Sequence, residues 1–186
     1  MSDVSAPALS LDAHASIEAA FTLGVPRDYG RTRRLTRVRE PRQLACIGHD
    51  VQGRFQWLAP RAAAAWQRMR EAAALDGVEL QIVSAFRSVD YQLGILQRKV
   101  DRGLAMDEIL RVSAAPGYSE HHSGRALDIT TPGFAPVEEE FERSEAFAWL
   151  SRRAHEFRFY LSYARGNAHA IAYEPWHWCW KERPLT

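Results

Sequence analysis

The sequence predicts an α+β fold, with a mainly antiparallel sheet flanked by helices. Three observations lead there. Helical and strand-like segments do not alternate regularly; they follow the order helix, hairpin, helix, strand, helix, helix, strand, helix, two strands. Two adjacent short runs, 44–47 and 54–58, are joined by the turn-forming stretch His49-Asp50-Val51-Gln52-Gly53, which makes neighbours antiparallel. A hydrophobic content of 46% and a charged content of 25% over 186 residues suit one globular core. Residues 1–12 read as a loose tail and 13–186 as a single domain.

Taken in order, residues 13–23 form a short amphipathic helix with Ile17, Ala20 and Phe21 on one face and Gly24 at its end. Six arginines lie between 31 and 42. They read as a solvated, charged connection, with an anion-binding patch as the alternative. After the hairpin, Pro60 opens a long helix to Leu75, with Ala64, Trp66, Met69, Ala72 and Ala73 as its apolar stripe; Asp76-Gly77 stops it. Residues 78–85 form a strand with Val78, Leu80 and Ile82 facing inward. Ser88 caps a helix that runs to about Arg102, and Gly103 ends it. Residues 105–112 form a further short helix, and Pro116-Gly117 turns the chain toward a histidine-rich stretch. A strand 125–130 follows, then a polar loop containing Glu138, Glu139 and Glu140. Ser144 caps a helix to about Phe157, and residues 159–163 and 170–174 form the two last strands.

The formal net charge of +1 gives no global case for a nucleic-acid partner. No apolar run reaches the roughly 18 residues a membrane span needs. Cys46 and Cys179 do not make a disulfide framework. Cys179 lies two residues from a histidine but reads as a small buried apolar residue between Trp178 and Trp180. His49, His155 and His169 have no partner in sequence that makes them ligands.

Two stretches carry chemistry: Ser119-Glu120-His121-His122-Ser123-Gly124-Arg125-Ala126-Leu127-Asp128, and Glu174-Pro175-Trp176-His177-Trp178. Together they hold two imidazoles and a carboxylate for a metal, plus a second carboxylate to handle protons. This is the parts list of a hydrolytic zinc site with one open position. His121 and Asp128, seven residues apart, would stand roughly 10 Å apart on a straight helix, and on a straight strand they would face opposite sides. The chain must therefore turn between them, and Gly124 is the natural place. Glu174 and His177 share a face only on a helical or 3₁₀ turn, which Pro175 presets.

The pattern Ser-x-His-x-x-Gly-x-Ala-x-Asp followed by Glu-Pro-Trp-His-Trp resembles the signature of the VanY-type D-alanyl-D-alanine carboxypeptidases. These are zinc peptidases of the group that includes L,D-carboxypeptidases and murein endopeptidases. The likeness extends to Ser84-Ala85-Phe86-Arg87-Ser88, Gln92 and Leu161-Ser162-Tyr163, and covers roughly residues 44–181. It implies one Zn²⁺ held by His121, Asp128 and His177 across the sheet face, with Glu174 as general base and acid. It also implies Arg87, Gln92, Ser119 and Tyr163 as substrate contacts, Arg87 gripping a terminal carboxylate. His122 reads as a supporting or surface residue, and Trp176 as a pocket wall or packing residue.

The implied substrate is a peptidoglycan stem peptide or muropeptide that loses its terminal D-alanine, by D,D or L,D cleavage; the motifs do not separate the two. Met1–Pro7 shows no basic segment followed by an apolar one. The expected compartment is the cytoplasm, or the periplasm or wall if a leader has been removed. Two other classes share these residues. Two histidines and a carboxylate also bind Fe(II) in non-haem oxygenases, which need no adjacent glutamate base. A non-catalytic wall-peptide-binding domain could keep the metal for structure alone. Oligomeric state is not readable.

Overall fold

The computed structural model describes residues 5–183; Met1 to Val4 of the expected tail lie outside them. The tail is tied down from Ser10 onward. Ser10 Oγ donates to the Glu40 carboxylate at 2.6 Å and accepts from the Asp90 N–H at 3.0 Å. Asp12 then caps α1 (Ala13–Thr22) by accepting from the Ala15 N–H. The single turn α2 (Tyr29–Thr32) follows.

The hairpin forms as expected, from β1 (Ala45–His49) and β2 (Phe55–Leu58), with a bulge between Cys46 and Gly48. α3 (Pro60–Leu75) starts with proline in its first turn and buries Ala62, Ala65, Trp66, Met69 and Ala73. Ala64, expected on the apolar stripe, is exposed instead. β3 is shorter than expected, only Gln81–Ser84, although Leu80 and Ile82 are buried as predicted. Ser88 caps α4 (Val89–Asp101), and α5 (Met106–Val112) follows. β4 (Ala126–Thr130), α6 (Glu145–Arg153), β5 (Phe159–Leu161) and β6 (His177–Trp180) complete the order.

The four-stranded sheet has the order β3-β4-β6-β5 and every pairing in it is antiparallel. Here the structure corrects one expectation. Residues 170–174 are not a strand: Ala172 N–H donates to the Arg111 carbonyl and Glu174 N–H to the Tyr163 carbonyl, rather than to a ladder. The strand is His177–Trp180, in which alternation decides the outcome. Trp178 and Trp180 join the main core, while His177 and Cys179 occupy the opposite face.

On one face Leu127, Ile129, Phe159, Trp178 and Trp180 pack with α3 and α6 residues such as Trp66, Met69 and Trp149. A second cluster, including Leu96, Ile109, Leu110 and Tyr118, binds α4 and α5 to the segments around Ala20 and Tyr29. Ala114, Tyr163 and Ile171 make a small third cluster. Among the described residues no helix is long and apolar enough to cross a membrane.

Candidate metal centre

The site lies on the face of the sheet away from α3. Asp128 on β4 and His177 on β6 are direct cross-strand partners, as are Asp128 and Ser84 on β3. Directly opposed residues place their side chains on one face about 5 Å apart. That register, not local spacing, unites Asp128 with His177.

His121 arrives by a different route. Glu120–Ser123 is a 3₁₀ turn, capped by Ser119 Oγ accepting from the His121 N–H. Gly124 leaves it in the left-handed region at φ 63°. A Cβ there would lie 2.9 Å from the Ala59 nitrogen, so glycine is required by both conformation and space. The chain reverses, β4 begins, and His121 returns over Asp128. The turn expected at Gly124 is present. Pro175 likewise starts the turn closed by the His177 N–H donating to the Glu174 carbonyl at 3.1 Å.

His121, Asp128 and His177 are all buried, and their ligand atoms lie within 4.8 Å of one another. His121 Nε2 is 3.2 Å from Asp128 Oδ2, and His177 Nδ1 is 3.0 Å from Asp128 Oδ1. His121 Nδ1–H donates to the Ala85 carbonyl, which leaves the Nε2 lone pair aimed at the centre. Nε2 is itself buried and makes no well-directed hydrogen bond among the described residues. Two imidazole nitrogens, a carboxylate and such an unsatisfied buried donor set fit a zinc ion. Burial and the Arg87 charge hold His121 down to about 4, so its ring is neutral, as a ligand must be. Burial works against the charge on Asp128, but the protonated His177 at its side outweighs it and keeps the carboxylate ionised.

Glu120 is a member of the site that the sequence reading missed. His177 Nε2–H donates to Glu120 Oε2 at 3.0 Å. The same carboxylate accepts from Lys181 Nζ at 2.6 Å and from Ser162 Oγ. A carboxylate behind a metal-facing histidine orients the ring and fixes its tautomer. The signal was present: His177, Cys179 and Lys181 alternate on one face of the missed strand and its extension. Burial opposes ionisation of Glu120, but His177 and Lys181 hold its carboxyl well below the usual range. Burial likewise opposes the charge on His177, and Asp128 and Glu120 nonetheless raise it to about 10. A metal must displace that proton, so zinc affinity is expected to fall as pH drops. Glu120→Gln is expected to weaken zinc binding by about 10- to 100-fold, measured by competition with a chelating dye. Unchanged affinity would show that Glu120 does not hold the ring.

Glu174 stands 3.9 Å from His177 Nδ1 and is largely buried. Burial pushes its pKa up to about 7; the Asp128 charge adds to this, and His177 and Arg87 oppose it.

Arg87 Nη2 lies 3.9 Å from Asp128 Oδ2. Its backbone is bound to the 3₁₀ turn, where His122 Nδ1–H donates to the Arg87 carbonyl at 2.7 Å. His122 Nε2 accepts from the Gly117 N–H, so this fully buried ring is a structural brace rather than a surface group. Asp90, three residues on, accepts from Ser16 Oγ and the Leu11 N–H and leaves Arg87 to the site.

A small cavity of about 40 Å³ brings together Arg87, Gln92, Ser119, Tyr163, Glu174 and His177. All four residues expected to contact substrate thus meet beside the metal group. Buried Arg87 Nε and Gln92 Oε1 have no hydrogen-bond partner among the described residues, one a donor and the other an acceptor. Gln92 Nε2 donates to the Ala114 carbonyl at 2.9 Å, which sets the amide's orientation. The Tyr163 ring packs 4.8 Å from the His177 ring. Cys179 is buried and free, and takes no part in the ligand group. His49 is exposed against Phe55.

The family profile of the D-alanyl-D-alanine carboxypeptidases, VanY, matches residues 56–183. The chain is 32% identical over 143 residues to YodJ of Bacillus subtilis (strain 168), a protein provisionally named a carboxypeptidase, covering 69% of this chain and 50% of YodJ. It spans about half the length of the curated relatives it matches first. Among solved structures it is similar to the LD-carboxypeptidase LdcB, with 30% identity and a TM-score of 0.68 over 76% of this chain and 69% of LdcB. It shares its fold with a mutant of the vancomycin resistance D,D-pentapeptidase VanY in complex with Zn(II). That match has 24% identity and a TM-score of 0.59 over 80% of this chain and 87% of the other.

Proposed function

The chain belongs to the VanY family of D-alanyl-D-alanine carboxypeptidases, and from that premise we propose that it is a zinc-dependent carboxypeptidase. Its substrates are peptidoglycan stem peptides or muropeptides, from which it removes the terminal D-alanine. The observation that carries this reading is Glu174, largely buried, within 3.9 Å of a metal-facing nitrogen and with its pKa near 7.

His121, Asp128 and His177 would hold a zinc ion, and such an ion would supply Lewis acidity for a water and for the scissile carbonyl. Glu174 takes the proton of the attacking water. Its carboxyl then delivers that proton to the departing amine, as its near-neutral pKa permits. Arg87 presents its guanidinium to the substrate's terminal carboxylate, and Gln92 and Ser119 add hydrogen bonds in the same small cavity. Tyr163 closes the cavity against the His177 ring. The cavity, about 40 Å³, suits a small terminal residue such as alanine. Those contacts act by holding the carbonyl in register with Glu174.

The test is mass spectrometry of tetrapeptide and pentapeptide muropeptides after incubation with the zinc-loaded protein. Loss of one terminal D-alanine from either is the expected result; if both stay intact, the reading fails. Arg87→Ala is expected to raise KM on carboxylate-terminated peptides by about 10- to 100-fold. C-terminally amidated peptides should show a much smaller change. An equal loss on both would remove Arg87 from carboxylate docking.

A further inference from the structure

Next to the small cavity lies a wider one, about 310 Å³, that shares Arg87, Val112 and Glu174 with it. The scissile bond must pass where the two meet, beside the metal group. On the carboxypeptidase reading the leaving residue, its carboxylate on Arg87, occupies the small cavity. The acyl part of the substrate therefore runs through the wide cavity, whose rim is the exposed Val112 and Val137.

Arg87, Asp128 and Glu174 line that cavity's end beside the metal group, and Val112, Val137, Ala172 and Trp176 form the apolar part of its wall. Set into it is one ammonium. Lys99 stands seven residues after Gln92 on α4, two turns along the same face. The two residues therefore serve neighbouring cavities. Lys99 Nζ donates to the neutral Ser113 Oγ at 2.7 Å. Among the described residues no carboxylate lies within ion-pair distance of it, although it is half-buried. Burial lowers its pKa, and the like charges of Arg87 and Arg102 add to this; Glu174 pulls the other way. A half-buried cation without a matching anion, at the end of an apolar wall, fits a side chain with several methylenes and a terminal carboxylate.

We propose that Lys99 reads the substrate residue on the acyl side of the scissile bond, selecting one whose long side chain ends in a carboxylate. This rests on the carboxypeptidase reading and deepens it. A stem ending in D-alanyl-D-alanine offers only a methyl group at that position. A stem one residue shorter offers its third residue, and a diamino dicarboxylic acid there supplies both the methylenes and the carboxylate. A lysine at the same position meets repulsion from Lys99. The wide cavity thus favours L,D cleavage of acid-bearing tetrapeptide stems.

Three peptides differing only in the end group of that side chain test the inference: N-acetyl-L-α-aminoadipyl-D-alanine, its L-norleucyl counterpart and its L-lysyl counterpart. Binding is measured by calorimetry on zinc-loaded Glu174→Ala protein, and KM on the zinc-loaded wild type. The aminoadipyl peptide is expected to bind about tenfold or more tightly than the norleucyl one, with the lysyl peptide weakest. Lys99→Met should abolish the aminoadipyl preference, and Lys99→Arg should keep it, which separates loss of charge from loss of fold. Equal Kd values for the aminoadipyl and norleucyl peptides, or a preference that survives Lys99→Met, would overturn the proposal. Hydrolysis without the preference sinks Lys99's role and leaves the carboxypeptidase reading intact. Absence of hydrolysis of any of these peptides or of the muropeptides counts against the carboxypeptidase reading, while the binding order still tests Lys99.

Discussion

Replacing Glu174 with alanine is expected to reduce kcat by about 10²- to 10⁴-fold while the protein keeps one zinc per chain. The size follows from its proposed role, since a positioned general acid–base is worth about that much. The retention follows from geometry, since the ligand group is His121, Asp128 and His177 and Glu174 stands outside it. The wild type adds a pH test. Burial pushes Glu174 up to about 7, so its base form is lost as pH falls, and kcat/KM should drop tenfold per unit on the acid side. A bound cation nearby pulls that limb below 7, never above it. Hydrolysis rates and metal analysis on the same preparation decide the matter. A variant that turns over at near wild-type rate removes Glu174 from the chemistry, whatever its zinc content.

The second large effect is on metal binding. Asp128→Ala is expected to weaken zinc by about 100-fold or more, from roughly 3 kcal/mol per ligand in a four-ligand site. Activity should disappear with the metal. Asp128 faces both histidines, at 3.2 Å and 3.0 Å, so its loss also strips a partner from His177 in the zinc-free protein. That leaves a buried polar group short of a hydrogen bond, costing about 1–3 kcal/mol. Thermal unfolding with and without zinc separates the two contributions, because only a bound ligand raises Tm in a concentration-dependent way. If the variant keeps a stoichiometric zinc through dialysis and gains as much Tm from it as the wild type, Asp128 is not a ligand.

Glu174 differs from Lys99 and Glu120 in how each could be found. Glu174 belongs to a contiguous run with Pro175 and His177, and the run carries its own geometry because proline presets the turn. Gly124 is legible for the same reason, since its backbone must reverse between two ligands. Long helices were legible from period and caps: Pro60 to Leu75, and Ser88 onward. The last strand was not. Its alternation of tryptophans with His177 and Cys179 was read as a turn followed by packing residues, and residues 170–174 took its place. Short extended runs rich in aromatics do not say which of two neighbours will find a partner, because pairing depends on a strand elsewhere in the chain.

The polar supports were hidden for a further reason. Glu120 and Lys181 lie 61 positions apart, and nothing local links them. Their meeting requires β6 to pair with β4 in one register, which turns His177 Nε2 toward Glu120. For His122 the sequence leaves a supporting and a surface role open, because an extended backbone would send it away from His121. On a 3₁₀ turn it instead points into the structure and braces Arg87.

By itself the sequence pointed to the three residues that meet in the metal group, the glutamate beside them and the glycine at which the chain reverses, because these depend on residue chemistry and short-range backbone geometry. Only the tertiary structure decided which nitrogen of each histidine faces the centre, which carboxylate stands behind His177, and which cation lines the wider cavity. Those depend on cross-strand register and helix placement, and a register is a relation between distant segments that neither segment carries alone.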